Sequence, residues 1–223
     1  MGIEDQDREV TLREIYGRLL APYGPQHWWP ADEPFEVIVG AILTQSTAWA
    51  NVEKAIAGLK AAGALNPHSL HDMPVEQLAR LIRPSGYYNA KAKKLKLFAE
   101  RLLSGYDGEL DKLFALDDDS LRRELLSIHG VGEETADSIM LYAAQRPAFV
   151  IDAYTVRILS RLGIAPPQDT YAAYQALFTD SLEPDEGLFN EYHALLVRHG
   201  KDVCRKQPRC DNCCLATLCQ HVS

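Results

Sequence analysis

Five cysteines crowd the end of the sequence, in CRKQPRCDNCCLATLC at residues 204–219, and none occurs earlier. Crowding of this kind suits one metal centre better than a disulfide framework. Taking Cys204, Cys210, Cys213 and Cys219 leaves five, two and five intervening residues, enough for a short loop to wrap four thiolates around one centre, with Cys214 spare. Tetrahedral zinc and a [4Fe–4S] cube both fit that spacing. Removing either should loosen the C-terminal segment.

Upstream, residues 121–144 read as a helix, a Gly130-Val131-Gly132 turn and a second helix. Two glycines let the backbone turn tightly, and a helix starting near Glu134 and Thr135 presents unpaired N–H groups. Such a turn can cradle a phosphate without any side-chain charge, though an ordinary helix connection has the same form. About twenty residues further on, FVIDAYTVRILSRLG sets Asp152 after an apolar run and before an amphipathic helix. Aspartate is a favoured helix N-cap, and capping is compatible with catalysis because the helix N-terminus favours its anion.

The elements that must position these groups are helices. Apolar residues recur at helical spacing in Leu12, Ile15, Tyr16, Leu19 and Leu20, in Val52, Ala55, Ile56 and Leu59, and in Leu95, Phe98, Ala99, Leu102 and Leu103. Glycine and proline punctuation divides them into some nine or ten helices, and no alternating strand stands out. The expected class is all-α, without internal repeats.

The chain has 223 residues with 47% hydrophobic and 24% charged, as in an ordinary folded protein. The longest apolar run, Val37 to Leu43, falls far short of the roughly 20 residues a membrane span needs. The opening MGIEDQDREV is acidic and lacks the apolar core of a secretory signal, so a cytoplasmic protein is expected. Net charge is −8 (23 Lys and Arg against 31 Asp and Glu), which opposes indiscriminate nucleic-acid binding. Even so, Arg83, Lys91, Lys93, Lys94, Lys96 and Arg101 cluster against a single acid, Glu100. That run is either a phosphate-binding face or a solvated helix surface.

Together the hairpin, the aspartate and the cysteines resemble the endonuclease III branch of helix-hairpin-helix DNA glycosylases, over nearly the whole chain. Leu43-Thr44-Gln45 looks like the family's strand-invading loop, HGVGEETAD its hairpin, VIDAYT its catalytic aspartate and the cysteine array its iron–sulfur loop. Three stretches, HWWPADEPFEVIVGAILTQSTAW, RPSGYYNAKAKKL and GVGEETADSIMLYA, look more like the 3-methyladenine DNA glycosylase III subgroup. The resemblance implies a six-helix barrel with the hairpin at 25–142, a second helical domain of 1–24 and 143–223 carrying the cluster, and a DNA-binding cleft between them. Trp28, Trp29 and Pro30 would line a base pocket, with Trp49 stacking on the extruded base, although each tryptophan also suits plain core packing.

The same resemblance assigns Asp152 as the catalytic carboxylate and Gln45 as the plug that fills the vacated stack. Tyr87 becomes a wedge in the opposite strand. Lys91, Lys93 and Lys94 would neutralise phosphates, as would the amides of Gly130, Val131 and Gly132 with Thr135, helped by a monovalent cation on the hairpin carbonyls. The expected partner is double-stranded DNA containing damaged bases, bound by a monomer, and the expected cofactor is a [4Fe–4S] cluster on Cys204, Cys210, Cys213 and Cys219. Two departures stand out. Glu134 occupies the position of endonuclease III's Schiff-base lysine, implying weak or absent lyase activity, and the first cysteine gap is five where that pattern has six. The leading expectation is a monofunctional alkylpurine DNA glycosylase. Its alternatives are an endonuclease III-like glycosylase and lyase acting on oxidised pyrimidines, and a non-catalytic protein that binds damaged DNA.

Overall fold

The computed structural model describes residues 5–29, 31 and 33–221, and among them every regular element is helical. Two compact units emerge, Trp29–Arg146 and a terminal unit of Met1–Trp28 with Pro147–Ser223. The junctions fall four residues after the sequence boundaries at 25 and 143.

In chain order the helices are α1 (Asp5–Tyr23), α2 (Pro34–Leu43), α3 (Trp49–Ala61), α4 (Pro67–Asp72), α5 (Val75–Leu81), α6 (Tyr88–Tyr106), α7 (Leu110–Phe114), α8 (Asp118–Ser127), α9 (Glu133–Ser138), α10 (Ala153–Leu162), α11 (Tyr171–Thr179) and α12 (Glu186–Asp202). They outnumber the expected nine or ten because α4, α5 and α7 have only six, seven and five residues. Helices so short complete too few turns to show an amphipathic period.

Within the central unit, α2 is buried along Phe35–Leu43 on every side. Its sequence FEVIVGAIL is apolar all round apart from Glu36, which pairs with Lys60 at 2.9 Å. Around it pack α3, α6 and α9, while α4 and α5 lie against α6. Lys96 ties α6 to the end of α4, donating to the carbonyls of Met73 at 2.7 Å and His71. The two helices of the hairpin, α8 and α9, are joined by a bidentate ion pair: Arg122 Nε reaches Asp137 Oδ1 at 2.7 Å and Nη2 reaches Oδ2 at 3.1 Å. Asp137 is completely buried, so losing its partner would leave an uncompensated charge and cost about 3–5 kcal/mol. After Ser138 the helix widens into a π turn over Ile139–Ala143.

The terminal unit is built on α1, α10 and α12. Phe149 stacks on Phe178 with centroids 3.6 Å apart, Tyr192 meets both rings edge-on, and the Tyr192 hydroxyl donates to the Leu12 carbonyl at 2.8 Å. Gly200 lets α12 approach α10, because a Cβ there would fall 2.6 Å from Cβ of Tyr154.

Candidate functional site

Asp152 caps α10. Its Oδ1 accepts from the Thr155 amide at 2.7 Å, satisfying a donor that the helix start would otherwise leave open. The other oxygen, Oδ2, lies 3.9 Å from Nε2 of His193, a buried residue on α12. Burial holds the His193 ring below the ordinary histidine value, and the Asp152 charge opposes that shift. Sequence reasoning missed His193; the signal was a histidine inside the apolar run Tyr192 to Leu196 of α12.

In the central unit the hairpin turns through Gly130, whose φ of 92° suits glycine. Lys94 lies across it, and a Cβ at Gly130 would fall 2.6 Å from Lys94 Cγ. Gly132 caps α9 through its backbone alone. The amides of Gly130 and Gly132 donate to no other described residue. Val131 differs from expectation, because its N–H donates to the Ile128 carbonyl at 3.0 Å and is not free to hold a phosphate. The turn is closed by that bond, leaving the glycine amides and the first turn of α9 to face an anion. Glu133 and Glu134 are exposed at this helix start, while Thr135 is buried.

Gln45 is held on both ends of its amide. Its Nε2 donates to Thr135 Oγ1 at 2.8 Å, and its Oε1 accepts from Lys94 Nζ at 2.5 Å. The loop residue, the hairpin and α6 therefore meet at one side chain. Tyr87 precedes α6 in the left-handed region, φ 44° and ψ 29°, and is 75% exposed. Backbone strain of this kind persists only where the surroundings hold it.

Lys93 is exposed, and Lys94 is half-buried with its ammonium on Gln45. Lys91 contradicts the expectation. It is 1% exposed and donates to the carbonyls of Leu43 at 2.8 Å and Ser85 at 2.7 Å, out of reach of any phosphate. Helical geometry turns position 91 toward α2 while 93 faces solvent.

Three aromatic rings form a corner beside α2. Trp29 meets Trp49 edge-on, 5.0 Å apart at 89°, and meets Tyr142 at 5.1 Å and 45°. Gly40 makes room, since a Cβ there would fall 3.0 Å from Trp29 Cζ2. The Trp49 indole N–H donates to Glu53 at 3.0 Å. Tyr142 was not anticipated; it belongs to the π turn, a feature frequent at functional sites. Trp28 is half-buried and grouped with the terminal unit, and Pro30 lies outside the described residues.

All five cysteines are free thiols. Cys204, Cys210, Cys213 and Cys219 line one small cavity together with Arg161. Among the described residues, no three His, Cys, Asp or Glu side chains stand close enough to grip a metal ion as they are. The donor chemistry nonetheless fits a thiolate-bound centre. Only thiols supply anionic donors at the cavity; Arg161 Nη1 lies 3.3 Å from Cys204 Sγ and His199 Nε2 lies 3.6 Å from Cys213 Sγ. His199 Nδ1 pairs with the Tyr23 hydroxyl at 2.8 Å, and burial pushes the ring down to about 4 while Tyr23 is pushed up to about 12. Both groups are therefore neutral at pH 7. An N–H at Nε2, with the tyrosine donating to Nδ1, is the tautomer that serves a thiolate. Arg161 also holds the loop through the carbonyls of Arg205 and Lys206.

Known proteins resemble this chain over most of its length. Residues 39–184 match the HhH-GPD superfamily of base excision DNA repair proteins. A protein of Methanocaldococcus jannaschii named as a DNA repair glycosylase is 47% identical over 216 residues, covering 96% of this chain and 98% of that one. Endonuclease III of Thermotoga maritima is 31% identical, covering 95% of this chain and 92% of its own. Among solved structures, the Helicobacter pylori 3-methyladenine DNA glycosylase bound to 1,N6-ethenoadenine superposes with a TM-score of 0.72 at 27% identity, over 89% of this chain and 98% of that chain.

Proposed function

Because the chain belongs to the HhH-GPD superfamily of base excision DNA repair proteins, we propose that this DNA glycosylase releases alkylated purines such as 3-methyladenine and leaves the strand uncut. The observation that carries the substrate class is the aromatic corner of Trp29, Trp49 and Tyr142. A purine alkylated at N3 is a cation, and indole faces attract cations with about 0.5–2 kcal/mol. The likeness to the 3-methyladenine glycosylase supports the same reading. For the uncut strand the support is Glu134, an exposed carboxylate where a Schiff-base amine would be needed.

In this reading the damaged nucleotide leaves the stack at a cost of a few kcal/mol. Gln45 fills the gap and Tyr87 wedges into the opposite strand. The amides of Gly130 and Gly132, with Lys93 and Lys94, hold the backbone, and a monovalent cation on the hairpin carbonyls would complete that grip. As the N-glycosidic bond breaks, the sugar gains oxocarbenium character, and the Asp152 carboxylate stabilises it and orients a water. No general acid is required, because the cationic base leaves as a neutral molecule. Four thiolates from Cys204, Cys210, Cys213 and Cys219 would hold an iron–sulfur cluster, which supplies cross-linking of the C-terminal loop. The protein would act as a monomer on double-stranded DNA in the cytoplasm.

The test is chromatography of bases freed from randomly methylated duplex DNA by the wild type and by Asp152→Asn. Release of 3-methyladenine by the wild type alone, with strands intact until alkali is added, is the expected result. The second reading, oxidised pyrimidines, is favoured by the identity to the T. maritima endonuclease III. It predicts instead release of oxidised pyrimidines and strand cleavage without alkali.

A further inference from the structure

Lys91 is a buried cation without a counter-charge. No carboxylate among the described residues lies within ion-pair distance of it, and its Nζ is satisfied by carbonyl oxygens alone. Taking an ammonium out of water is costly, and an apolar side chain of similar length would fill the same space without that cost. Burial pushes its pKa down to about 8, with the charge of Lys94 adding to the effect. Something other than filling the core is needed to account for a lysine here.

The two carbonyls it joins are informative. Leu43 is the last residue of α2, and Ser85 ends the 3-10 turn Arg83–Ser85. Each stands two residues before a residue expected to enter DNA: Leu43 before Gln45, and Ser85 before Tyr87. Beyond each carbonyl the backbone makes a left-handed excursion, at Ser46 (φ 55°) on one side and at Gly86 and Tyr87 (φ 68° and 44°) on the other. Such kinks persist only where their surroundings hold them. One turn further along α6, Lys94 grips the Gln45 side chain.

We infer that Lys91 is a positioning residue that ties the Gln45 loop to the Tyr87 turn, so that plug and wedge enter the duplex as one rigid unit. The inference rests on the glycosylase reading for its function, and on the two hydrogen bonds for its geometry. Duplex opening is the step that depends on the tie. Bond cleavage in a nucleotide that is already extruded does not.

The experiment compares wild type with Lys91→Met in single-turnover release of 1,N6-ethenoadenine from two substrates, a fully paired duplex and the same lesion within an unpaired bulge. Hydrogen exchange of the free proteins is followed at residues 44–46 and 86–88. Expected are release about ten- to a hundredfold slower from the duplex, the wild-type rate from the bulge, and faster exchange in both segments together. Wild-type rates on both substrates, or equal losses on both, would overturn the inference. Should Lys91→Met fail to fold, Lys91→Gln is read in the same way. If the wild type frees the etheno base, which is neutral, from neither substrate, the alkylpurine reading is judged by 3-methyladenine release alone and exchange decides the tie: unchanged protection in either segment rejects it.

Discussion

Asp152 Oδ2 and His193 Nε2 stand 3.9 Å apart in the terminal unit, so the carboxylate that caps α10 with one oxygen presents the other to a buried imidazole. Burial is the larger influence on that ring and holds it below 6.5. An unfolded histidine takes up its proton near pH 6.5, whereas the folded one does so only at lower pH. Between those values the unfolded state binds more protons, so stability is lost as the solution is acidified. Thermal melts from pH 7 to pH 4 should therefore show a shallower acid decline for His193→Gln than for the wild type. Identical declines would count against this assignment.

Asp152→Asn should abolish base release while leaving the fold intact. Asparagine caps a helix as well as aspartate does, so the melting temperature should barely move. Loss of the anion should remove at least about 3 kcal/mol of transition-state stabilisation, read as the ratio of single-turnover rates.

Three lysines within four positions of α6 should separate by salt dependence. Lys93→Met and Lys94→Met should each lower the slope of log affinity against log salt by about one, as for a lost phosphate contact. Lys91→Met should leave the slope unchanged because its ammonium is spent on Leu43 and Ser85. Fluorescence anisotropy with an undamaged duplex at several salt concentrations measures all three.

Tyr87→Gly should relieve left-handed backbone and remove an exposed ring together. The free protein should be unchanged or up to about 1 kcal/mol more stable in urea, since glycine tolerates this conformation. Base release from duplex DNA should slow nonetheless. A variant both less stable and fully active would show that the ring serves packing.

Iron content and visible absorption should distinguish the cysteines. On the proposed cluster assignment, Cys204→Ser, Cys210→Ser, Cys213→Ser and Cys219→Ser should each lose iron and sensitise the segment after Val203 to protease, whereas Cys214→Ser should keep both its iron and its protease resistance. Metal removal by a chelator should reproduce the first phenotype.

Much of this was readable in the sequence because it depends on local pattern. The hairpin glycines, the Asp152 cap and the crowded thiols are all set by neighbours a few residues away. What escaped depends on contacts between distant segments. The difference between Lys91 and Lys93 comes from which side of α6 faces α2, and a run of like charges conceals it. His193 meets Asp152 from another helix, 41 positions on. The Arg122–Asp137 pair links two helices across the turn, and in the polar segment EETADS nothing local marks Asp137 as a buried acid. Val131 escaped because a valine between two glycines reads as part of an open anion site, whereas its amide closes the turn.

The π turn at Ile139–Ala143 carries one further consequence. An α-helix advances about 100° per residue, whereas a π turn takes in one extra residue for the same rotation, so the two windings aim the side chains that follow in different directions. Winding the same residues as regular α-helix would therefore turn Tyr142 away from Trp29 without changing any side chain of the aromatic corner. The place of Tyr142 beside Trp29 is thus set by how the helix winds, which a comparison of residue identities would not reveal.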